Sequence, residues 1–322
     1  KEATNQAIKV RVSGGTKIPV LDIHNINNQN EIKAKIATYI KALEKYTNSL
    51  SEIYSKEGKK FDAYTSVLNS TEIVTKNGLF SVAATAANNG IKNNLSNESQ
   101  KIERLYNSVT AFEEMMNLFY RQKGLSDSPA NPKDKTPSSR INIRYMRMFD
   151  GAFMYAGGEH IGIGYGSIGG LMQGKPNKVE NGDVTTTGFF GWGISHEIGH
   201  QINQGKLAYA EVTNNIYSLL AQTNDDKQKA RIEGIYDQIY EKVTSNTIGR
   251  ASNVFVSLGM YWQLHLAYDE IRTFDDTNSI YARINHLSRT SSLSGNKDDL
   301  LVMYASQAAG KNLTKFFEKW GI

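Results

Sequence analysis

The chain has 322 residues, of which 39% are hydrophobic and 21% charged, enough for one large domain or two lobes around a sizeable core. Its 37 basic and 32 acidic residues leave a net charge of +5 without a dense basic stripe, which favours a mildly basic solvated surface over nucleic-acid binding. The sequence has no Cys, which excludes disulfides, thiol catalysis and Cys-ligated zinc, and it has no run of about 18 apolar residues that could span a membrane.

The first predicted elements are a β-hairpin and a long helix. Hydrophobic and charged residues alternate over residues 8–12, and a Ser-Gly-Gly turn leads to a second apolar run at residues 18–21. This pattern predicts a hairpin within residues 1–23. Apolar residues then recur at helical spacing, which predicts a helix over about residues 30–55.

A second hairpin and a second helix follow. Asn77-Gly78 lies in the middle of residues 72–82, and Asn-Gly is typical of a two-residue type I′ turn. Asn97, with Gln100 three residues later, forms a variant of the capping box and predicts the start of a helix that continues to Phe119.

Glycine and proline mark the loops of the middle of the chain. Three of the five prolines lie in residues 124–139, which predicts a surface loop before a strand at residues 140–145. Residues 164–169 match G-x-G-x-x-G, but the βαβ alternation of a nucleotide-binding fold does not surround them, so this signal is weak. Residues 173–188 are polar and are expected to form a loop at the border of the active-site cleft.

Residues 153–163 predict an extended strand at a sheet edge, near a helix predicted at residues 193–205. An unpaired strand edge can bind an extended peptide through main-chain hydrogen bonds, which makes Gly157, Gly158 and Glu159 candidate substrate-binding residues. The alternative, weighted equally, is a twisted or bulged strand without a ligand role. His160 is expected to be a structural histidine.

The H-E-x-x-H motif is the strongest chemical signal in the sequence. On a helix, His196 and His200 lie about 40° apart around the axis and one turn apart along it, so both imidazoles can bind one cation. Glu197 projects to the side, where it can hold a metal-bound water without being a ligand. The alternative is a pair of packed histidines on an ordinary amphipathic helix, but the helical context favours zinc.

The residues around the motif predict how its helix is anchored. Ile194, Ile198 and Ile202 repeat at i, i+4 and i+8, which gives an apolar stripe opposite the histidines. Gly199 lies beside the histidine face, where a missing side chain would let another backbone pass closely. Gly205 is expected to end the helix.

A catalytic zinc needs a third protein ligand. The metzincin pattern requires Gly at position 203 and His at position 206, where this chain has Asn and Lys, so that subclass is excluded. Glu211 is expected in the first turn of a returning helix, from which it can reach the metal. Its alternative role is to favour that helix dipole. Four other candidates for the third ligand remain open: Glu233, Glu241, His265 and Asp269.

Side chains beyond the ligands are also candidates for the site. Asn214 and Asn215 are expected to orient the ligands. Tyr261 or His265 could donate a hydrogen bond to the tetrahedral oxyanion, although core packing on one helix face is favoured for both. Further along the chain, Arg272, Asp275 and Asp276 could bind sugar hydroxyls.

The residues of the motif and of the predicted returning helix carry a family resemblance. The sequence His-Glu-Ile-Gly-His, followed by Glu-Val-Thr-Asn-Asn-Ile-Tyr-Ser-Leu at residues 211–219, resembles the gluzincin peptidases that include viral enhancins and bacterial mucin-degrading proteases. Residues 154–158 and 312–322 are similar to two further segments of that family. The resemblance is strong over roughly the second half of the chain and weak over the first half.

The resemblance implies a specific site and substrate. It implies one zinc ion on His196, His200 and Glu211, with Glu197 as general base, and O-glycosylated, mucin-like proteins as substrates. It also implies a secreted or cell-surface bacterial protein, of which this chain is a monomeric catalytic module within a larger multi-domain protein.

The sequence therefore predicts a two-lobed α+β gluzincin metallopeptidase. We expect a hairpin at 1–23, a lobe of sheet and helices at 24–205 that ends with the zinc helix, and an all-α lobe at 206–322. The predicted function is zinc-dependent cleavage of O-glycosylated proteins. Two alternatives remain open: a zinc protease without a glycan requirement, and a non-enzymatic adhesion module with a relict metal site.

Overall fold

The computed structural model has a mixed β-sheet in its N-terminal part and helices in its C-terminal part. It describes residues 15–149, 151–185, 187–222, 231–245, 249–269 and 278–322. Within these residues, no helix combines the length and the apolar character that a membrane crossing requires. Buried hydrophobic side chains form one continuous cluster that extends from Leu21 to Trp320.

Six strands form the main sheet of the described residues, in the order β1-β2-β3-β4-β6-β5. The β2–β3 and β5–β6 pairs are antiparallel, and the other pairs are parallel. The strands are β1 Val20–Asp22, β2 Thr71–Val74, β3 Gly78–Val82, β4 Ile141–Tyr145, β5 Met154–Gly157 and β6 His160–Ile163; a separate hairpin consists of β7 Lys178–Glu180 and β8 Asp183–Thr185.

Helices α1 to α5 lie before residue 205, and among the described residues beyond it the chain forms helices joined by turns and loops, without a strand. The α-helices are α1 Gln29–Lys56, α2 Ala84–Lys92, α3 Glu98–Gln122, α4 Tyr165–Leu171, α5 Trp192–Ile202, α6 Asn215–Gln222, α7 Tyr236–Thr244, α8 Val254–Tyr268, α9 Ile280–Thr290, α10 Lys297–Ala309 and α11 Thr314–Trp320. Short 3-10 helices occur at Pro132–Asp134, Gly205–Leu207 and Glu233–Ile235. The predicted α+β class is confirmed, while the division into lobes stays a prediction.

The capping residues of the long helices follow from local chemistry. Asn28 accepts hydrogen bonds from the main-chain N–H groups of Asn30 and Glu31 and starts α1. The Asn97 side chain accepts hydrogen bonds from the main-chain N–H groups of Ser99 and Gln100, so the predicted start of α3 is confirmed. The first strand of the predicted N-terminal hairpin, at residues 8–12, lies outside the described residues. Its second strand is β1, which pairs in parallel with β2.

The second predicted hairpin forms, but the prediction of a type I′ turn was wrong. Lys76 and Asn77 are the two loop residues, and neither Asn77 nor Gly78 has the positive φ that this turn requires. The reason is a tertiary contact. The Glu113 carboxylate accepts hydrogen bonds from both the main-chain and the side-chain nitrogen of Asn77.

The proline-rich segment at residues 124–139 is more than a surface loop. Asp134 within it is buried and accepts hydrogen bonds from the Arg289 guanidinium at 2.7 and 2.9 Å, while its other carboxylate oxygen lies 2.6 Å from the His286 imidazole. These contacts join the segment to α9.

The segment 153–163 is a hairpin rather than one extended strand. Strand β5 turns at Gly158, which has φ +56°, and returns as β6. The predicted edge is confirmed, because β5 is the outermost strand of the sheet and also packs against α5.

The G-x-G-x-x-G segment serves helix packing. Its residues 165–169 belong to α4, and Gly169 lies against Gly90 of α2. A Cβ atom on Gly90 would lie 2.7 Å from the Cα and the carbonyl oxygen of Gly169, so these two helices approach as closely as they do only because Gly90 has no side chain.

This contact predicts that Gly90→Ala destabilises the protein by about 1–3 kcal/mol, because the added methyl group meets main-chain atoms that cannot rotate away. Gly170→Ala on α4 is the matched control, since its Cβ would meet nothing within 4 Å. Urea unfolding measures both variants. Equal stabilities of the two would contradict the close approach.

Candidate metal centre

Helix α5 carries the H-E-x-x-H motif on a buried anchor. Ile194, Ile198 and Ile202 are between 0% and 8% exposed, which confirms the predicted apolar stripe. The imidazoles of His196 and His200 lie on another face and are 20% and 28% exposed. The anchored helix therefore presents two neighbouring imidazoles to a partly open site.

The predicted end of this helix at Gly205 was wrong. Helix α5 ends at Ile202, and Gly205 begins a separate 3-10 helix. The buried Lys123 ammonium donates a hydrogen bond to the carbonyl of Ile202. A cation at this position complements the C-terminal end of the helix dipole. Burial, with a smaller effect from the nearby Arg289, lowers the pKa of Lys123 to about 8.

Three donor groups converge beside α5. The Nε2 atoms of His196 and His200 are 3.2 Å apart. One carboxylate oxygen of Glu211 lies 3.1 Å from Nε2 of His196, and the other lies 3.2 Å from Nε2 of His200. The motif thus meets a carboxylate that lies eleven residues beyond it in the sequence.

Glu211 reaches the imidazoles from a turn and not from a helix. Helix α6 begins at Asn215, so the expected place of Glu211 in its first turn, and with it the role of favouring the helix dipole, was wrong. Glu211 has φ +59°, a left-handed conformation that is uncommon for a residue other than glycine. Such strained backbone persists only where the surrounding structure holds it.

The other four candidates for the third ligand do not reach the imidazoles. Within the described ranges, no ion pair joins Glu233, Glu241 or Asp269 to His196 or His200. The side chains of His265 and Asp269 are instead paired with each other at 2.8 Å, and both are almost fully buried.

Asn215 orients two of the converging groups. Its Oδ1 atom lies 2.6 Å from Nδ1 of His196, and its Nδ2 atom donates to the main-chain carbonyl of Glu211 at 2.7 Å. Because the imidazole donates from Nδ1, its Nε2 lone pair faces the carboxylate. Asn214 is completely buried, and its Nδ2 atom lies 3.0 Å from Nε2 of His200.

Gly199 allows the Glu211 turn to approach α5. A Cβ atom at this position would lie 2.3 Å from the carbonyl oxygen of Asn214 and 2.9 Å from its Cα atom. The close passage of another backbone beside the histidine face is therefore confirmed, and it brings the turn within reach of the imidazoles.

The Glu197 carboxylate lies at the side of the imidazole pair. Its oxygen and the two imidazole nitrogens lie within 4.8 Å of one another, so Glu197 is close to the donors but farther away than Glu211. The main-chain N–H of Ala156 donates to this carboxylate. Burial raises the pKa of Glu197, the proximity of His196 lowers it, and the Glu211 charge raises it. Burial also lowers the pKa of His200.

The tip of the β5–β6 hairpin lies next to α5. The Gln201 amide donates to the carbonyls of Gly158 at 3.3 Å and of His160 at 3.2 Å. Gly157 ends β5, and Glu159 is exposed in the turn. Binding of substrate by Gly157, Gly158 and Glu159 stays a prediction.

The remaining candidates of the sequence have structural surroundings or lie outside the described residues. The His160 imidazole lies 3.0 Å from the Tyr155 hydroxyl, as expected of a structural histidine. Tyr261 is 4% exposed and His265 is 1% exposed, which confirms that both pack in the core. The three residues proposed for sugar hydroxyls, Arg272, Asp275 and Asp276, lie outside the described residues.

The converging groups fit a zinc ion. Two imidazole nitrogens and a carboxylate form one of the donor sets of catalytic zinc. Tetrahedral zinc, with ligands at about 2.0–2.1 Å, holds neighbouring donor atoms about 3.3 Å apart. The measured separations of 3.1 and 3.2 Å agree with this geometry. Since all three groups present lone pairs, a shared cation stabilises their convergence.

The chain matches a known protein family. The family model for peptidase M60, enhancin and enhancin-like, matches residues 64–321, which is more than half of the chain. No curated protein matches the chain.

Solved structures show the same fold. The chain resembles the M60 catalytic domain of Clostridium perfringens ZmpC in complex with the sialyl T antigen (TM-score 0.67, 23% identity, covering 97% of this chain and 54% of that one). It also resembles the M60 catalytic domain with the CBM51-1 and CBM51-2 domains of C. perfringens ZmpB (0.65, 24%, 95% and 28%). A third match is a metallopeptidase in complex with Tn antigen (0.56, 19%, 87% and 48%). The chain thus spans about half the length, or less, of these structures.

The contact at Gly199 predicts that Gly199→Ala weakens zinc binding by at least about tenfold, because the methyl group forces the Glu211 turn away from the imidazoles. Gly193→Ala on the same helix is the control, since its Cβ would make only ordinary contacts, the nearest at 3.4 Å. Competition with a chromophoric chelator measures both affinities. Wild-type affinity in Gly199→Ala would contradict the steric argument.

Proposed function

Because the chain belongs to the peptidase M60 family, enhancin and enhancin-like, we propose that it is a zinc-dependent endopeptidase. In this proposal His196, His200 and Glu211 hold one zinc ion, and Glu197 is the general base. The observation that carries the proposal is the convergence of two imidazole nitrogens and one carboxylate at 3.1–3.2 Å, with a second carboxylate to their side.

Zinc, when bound by these residues, would polarise the peptide carbonyl and lower the pKa of a water molecule. Glu197 takes the proton of the attacking water and returns it to the leaving amine. Burial raises the pKa of Glu197, which makes this carboxylate a better proton acceptor than an exposed one. The N–H of Ala156 fixes one carboxylate oxygen and so orients the other.

The substrate backbone is proposed to bind along β5. In the described part of the chain, β5 pairs only with β6, so its other edge is free for an extended peptide. Ala156, whose N–H contacts Glu197, belongs to this strand, and Gly157, Gly158 and Glu159 follow it at the tip. An extended peptide on this edge therefore passes beside the general base.

We further propose O-glycosylated, mucin-type proteins as substrates. Two of the similar structures are complexes with O-glycan antigens, sialyl T and Tn, which supports a glycoprotein substrate here. The ZmpB match carries further domains beside its catalytic domain, which supports the proposal of a catalytic module within a multi-domain protein. A secreted or cell-surface location belongs to the same proposal, because mucins are extracellular.

Two alternatives remain distinguishable from this proposal. A zinc protease without a glycan requirement would use the same metal site and strand edge. A non-enzymatic adhesion module would not need Glu197 at the side of three converging donors, so the complete set of groups argues against it.

The assigned roles predict that Glu197→Gln keeps zinc but loses cleavage by at least about a hundredfold, because the amide cannot accept the proton. His200→Ala is expected to lose zinc, which elemental analysis of the purified variant measures. Glu103→Gln is the control for the charge change, since the exposed Glu103 carboxylate pairs with Lys33 and not with a residue of the candidate site. Cleavage by Glu197→Gln at the wild-type rate would overturn the base assignment.

The proposed substrate class predicts that native mucin is cleaved and that enzymatically deglycosylated mucin is cleaved at least about tenfold more slowly, because a glycan contact worth about 1.4 kcal/mol is lost. Gel analysis with and without a chelator measures both rates. Equal rates would favour the protease without a glycan requirement. Cleavage that persists with the chelator would overturn metal dependence.

A further inference from the structure

The third proposed ligand is carried by a loop, whereas the two histidines are carried by a helix. We define the Glu211 loop as residues 203–214, the segment between α5 and α6. Building on the proposed ligand role of Glu211, we propose that Thr213 and Tyr209 are positioning residues that hold its carboxylate at the metal.

Thr213 closes the loop through three hydrogen bonds. Its hydroxyl oxygen accepts from Nδ2 of Asn203 at 2.8 Å and from the main-chain N–H of Tyr209 at 3.0 Å, and the hydroxyl donates to the carbonyl of Tyr209 at 3.1 Å. Thr213 is 6% exposed, so these bonds are sheltered from water. One hydroxyl therefore joins both sides of Glu211 to the end of α5.

Asn203 completes the closure at the start of the loop. Its Oδ1 atom accepts from the main-chain N–H of Gln204 at 3.1 Å, while its Nδ2 atom donates to Thr213. Residues ten positions apart are thus connected directly, and the backbone between them has few remaining conformations.

Tyr209 attaches the loop to α10. Its hydroxyl donates to the Asp298 carboxylate at 2.5 Å, and the cations of Arg250 and Lys297 each lie 4.9 Å from the centroid of its ring. The Lys297 ammonium also donates to the carbonyl of Ala208 at 2.5 Å. Residues 208 and 209, three and two positions before Glu211, are therefore held against α10.

Glu211 needs such support because its backbone is strained. At φ +59° it occupies a conformation that costs of order 1 kcal/mol for a residue with a side chain. Its side chain is about half exposed, so packing around it does little to fix it. The contacts of Thr213 and Tyr209 supply the missing constraint from either side. Loss of a contact that orients a metal ligand typically weakens metal affinity by about 10–100-fold.

The first test compares zinc affinity in Thr213→Val and Thr213→Ser by chelator competition. Valine keeps the shape but removes all three hydrogen bonds, and we expect about tenfold weaker binding. Serine keeps the hydroxyl, and we expect binding close to wild type. The same valine substitution in a Glu211→Ala background is expected to have no further effect, because the ligand that it positions is gone.

Thr47→Val is the matched control. The Thr47 hydroxyl also accepts from an asparagine amide, that of Asn88 at 3.0 Å, and donates to a main-chain carbonyl, that of Leu43 at 2.9 Å. Thr47 belongs to α1 and its partner Asn88 to α2, and neither helix carries a proposed ligand or a contact of the Glu211 loop described above. We expect a similar loss of thermal stability in the metal-free protein and unchanged zinc affinity.

A second pair of variants tests the attachment to α10. Tyr209→Phe removes only the hydroxyl bond to Asp298, and Tyr209→Leu also removes the aromatic ring that the two cations contact. We expect zinc affinity to fall in both, and to fall further in the leucine variant. This pair keeps the proposal testable if Thr213→Val does not fold.

The outcomes distinguish the positioning role of Thr213 and Tyr209 from the ligand role of Glu211. Wild-type zinc affinity in folded Thr213→Val and in Tyr209→Leu would overturn the positioning role. An equal loss of affinity with and without Glu211 would also overturn it, since Thr213 would then act on another part of the site. If Glu211→Ala itself bound zinc normally, the ligand assignment, and with it the proposed function, would fail first.

Discussion

The candidate site depends on the convergence of two imidazoles and one carboxylate at a point where a single cation can bind all three. The two imidazole nitrogens and the oxygens of the Glu211 carboxylate lie 3.1–3.2 Å apart. A fixed helix supplies the imidazoles, and their spacing is set by one helical turn. The carboxylate has no such local constraint, so the surrounding fold must bring it there and hold it.

The surrounding fold meets this requirement from three directions. The missing side chain of Gly199 lets the loop pass against α5, and Asn215 links the backbone of Glu211 to the ring of His196. Helix α10, from the C-terminal part of the chain, holds Tyr209 through the bond between its hydroxyl and Asp298. The sheet contributes the remaining element, since β5 packs against α5 and donates the N–H of Ala156 to Glu197. The buried core is continuous through these parts, so segments that are distant in the sequence are packed together around one site.

Family membership and fold restrict the function more than they specify it. The peptidase M60 model covers most of the chain, and the similar structures at 19–24% identity show a shared fold. Metal-dependent peptide hydrolysis agrees with the geometry of the site. Substrate specificity depends instead on side chains that can vary without any change of fold. The fold and the candidate metal centre therefore leave the substrate of this chain open.

The sequence by itself determined the features that local periodicity controls. The spacing of His196, Glu197 and His200, the buried isoleucine stripe and the cap at Asn97 all follow from one helical repeat or one residue's side chain. Only the tertiary structure decided the features that depend on distant contacts. Lys123 donates to the Ile202 carbonyl at the end of α5, Glu113 accepts from Asn77 where a type I′ turn was expected, and Glu211 lies in a left-handed turn instead of a helix. A pattern of neighbouring residues carries no information on partners that lie many positions away. For this reason five residues were candidates for the third ligand from the sequence, and only the structure shows that Glu211 lies beside both imidazoles.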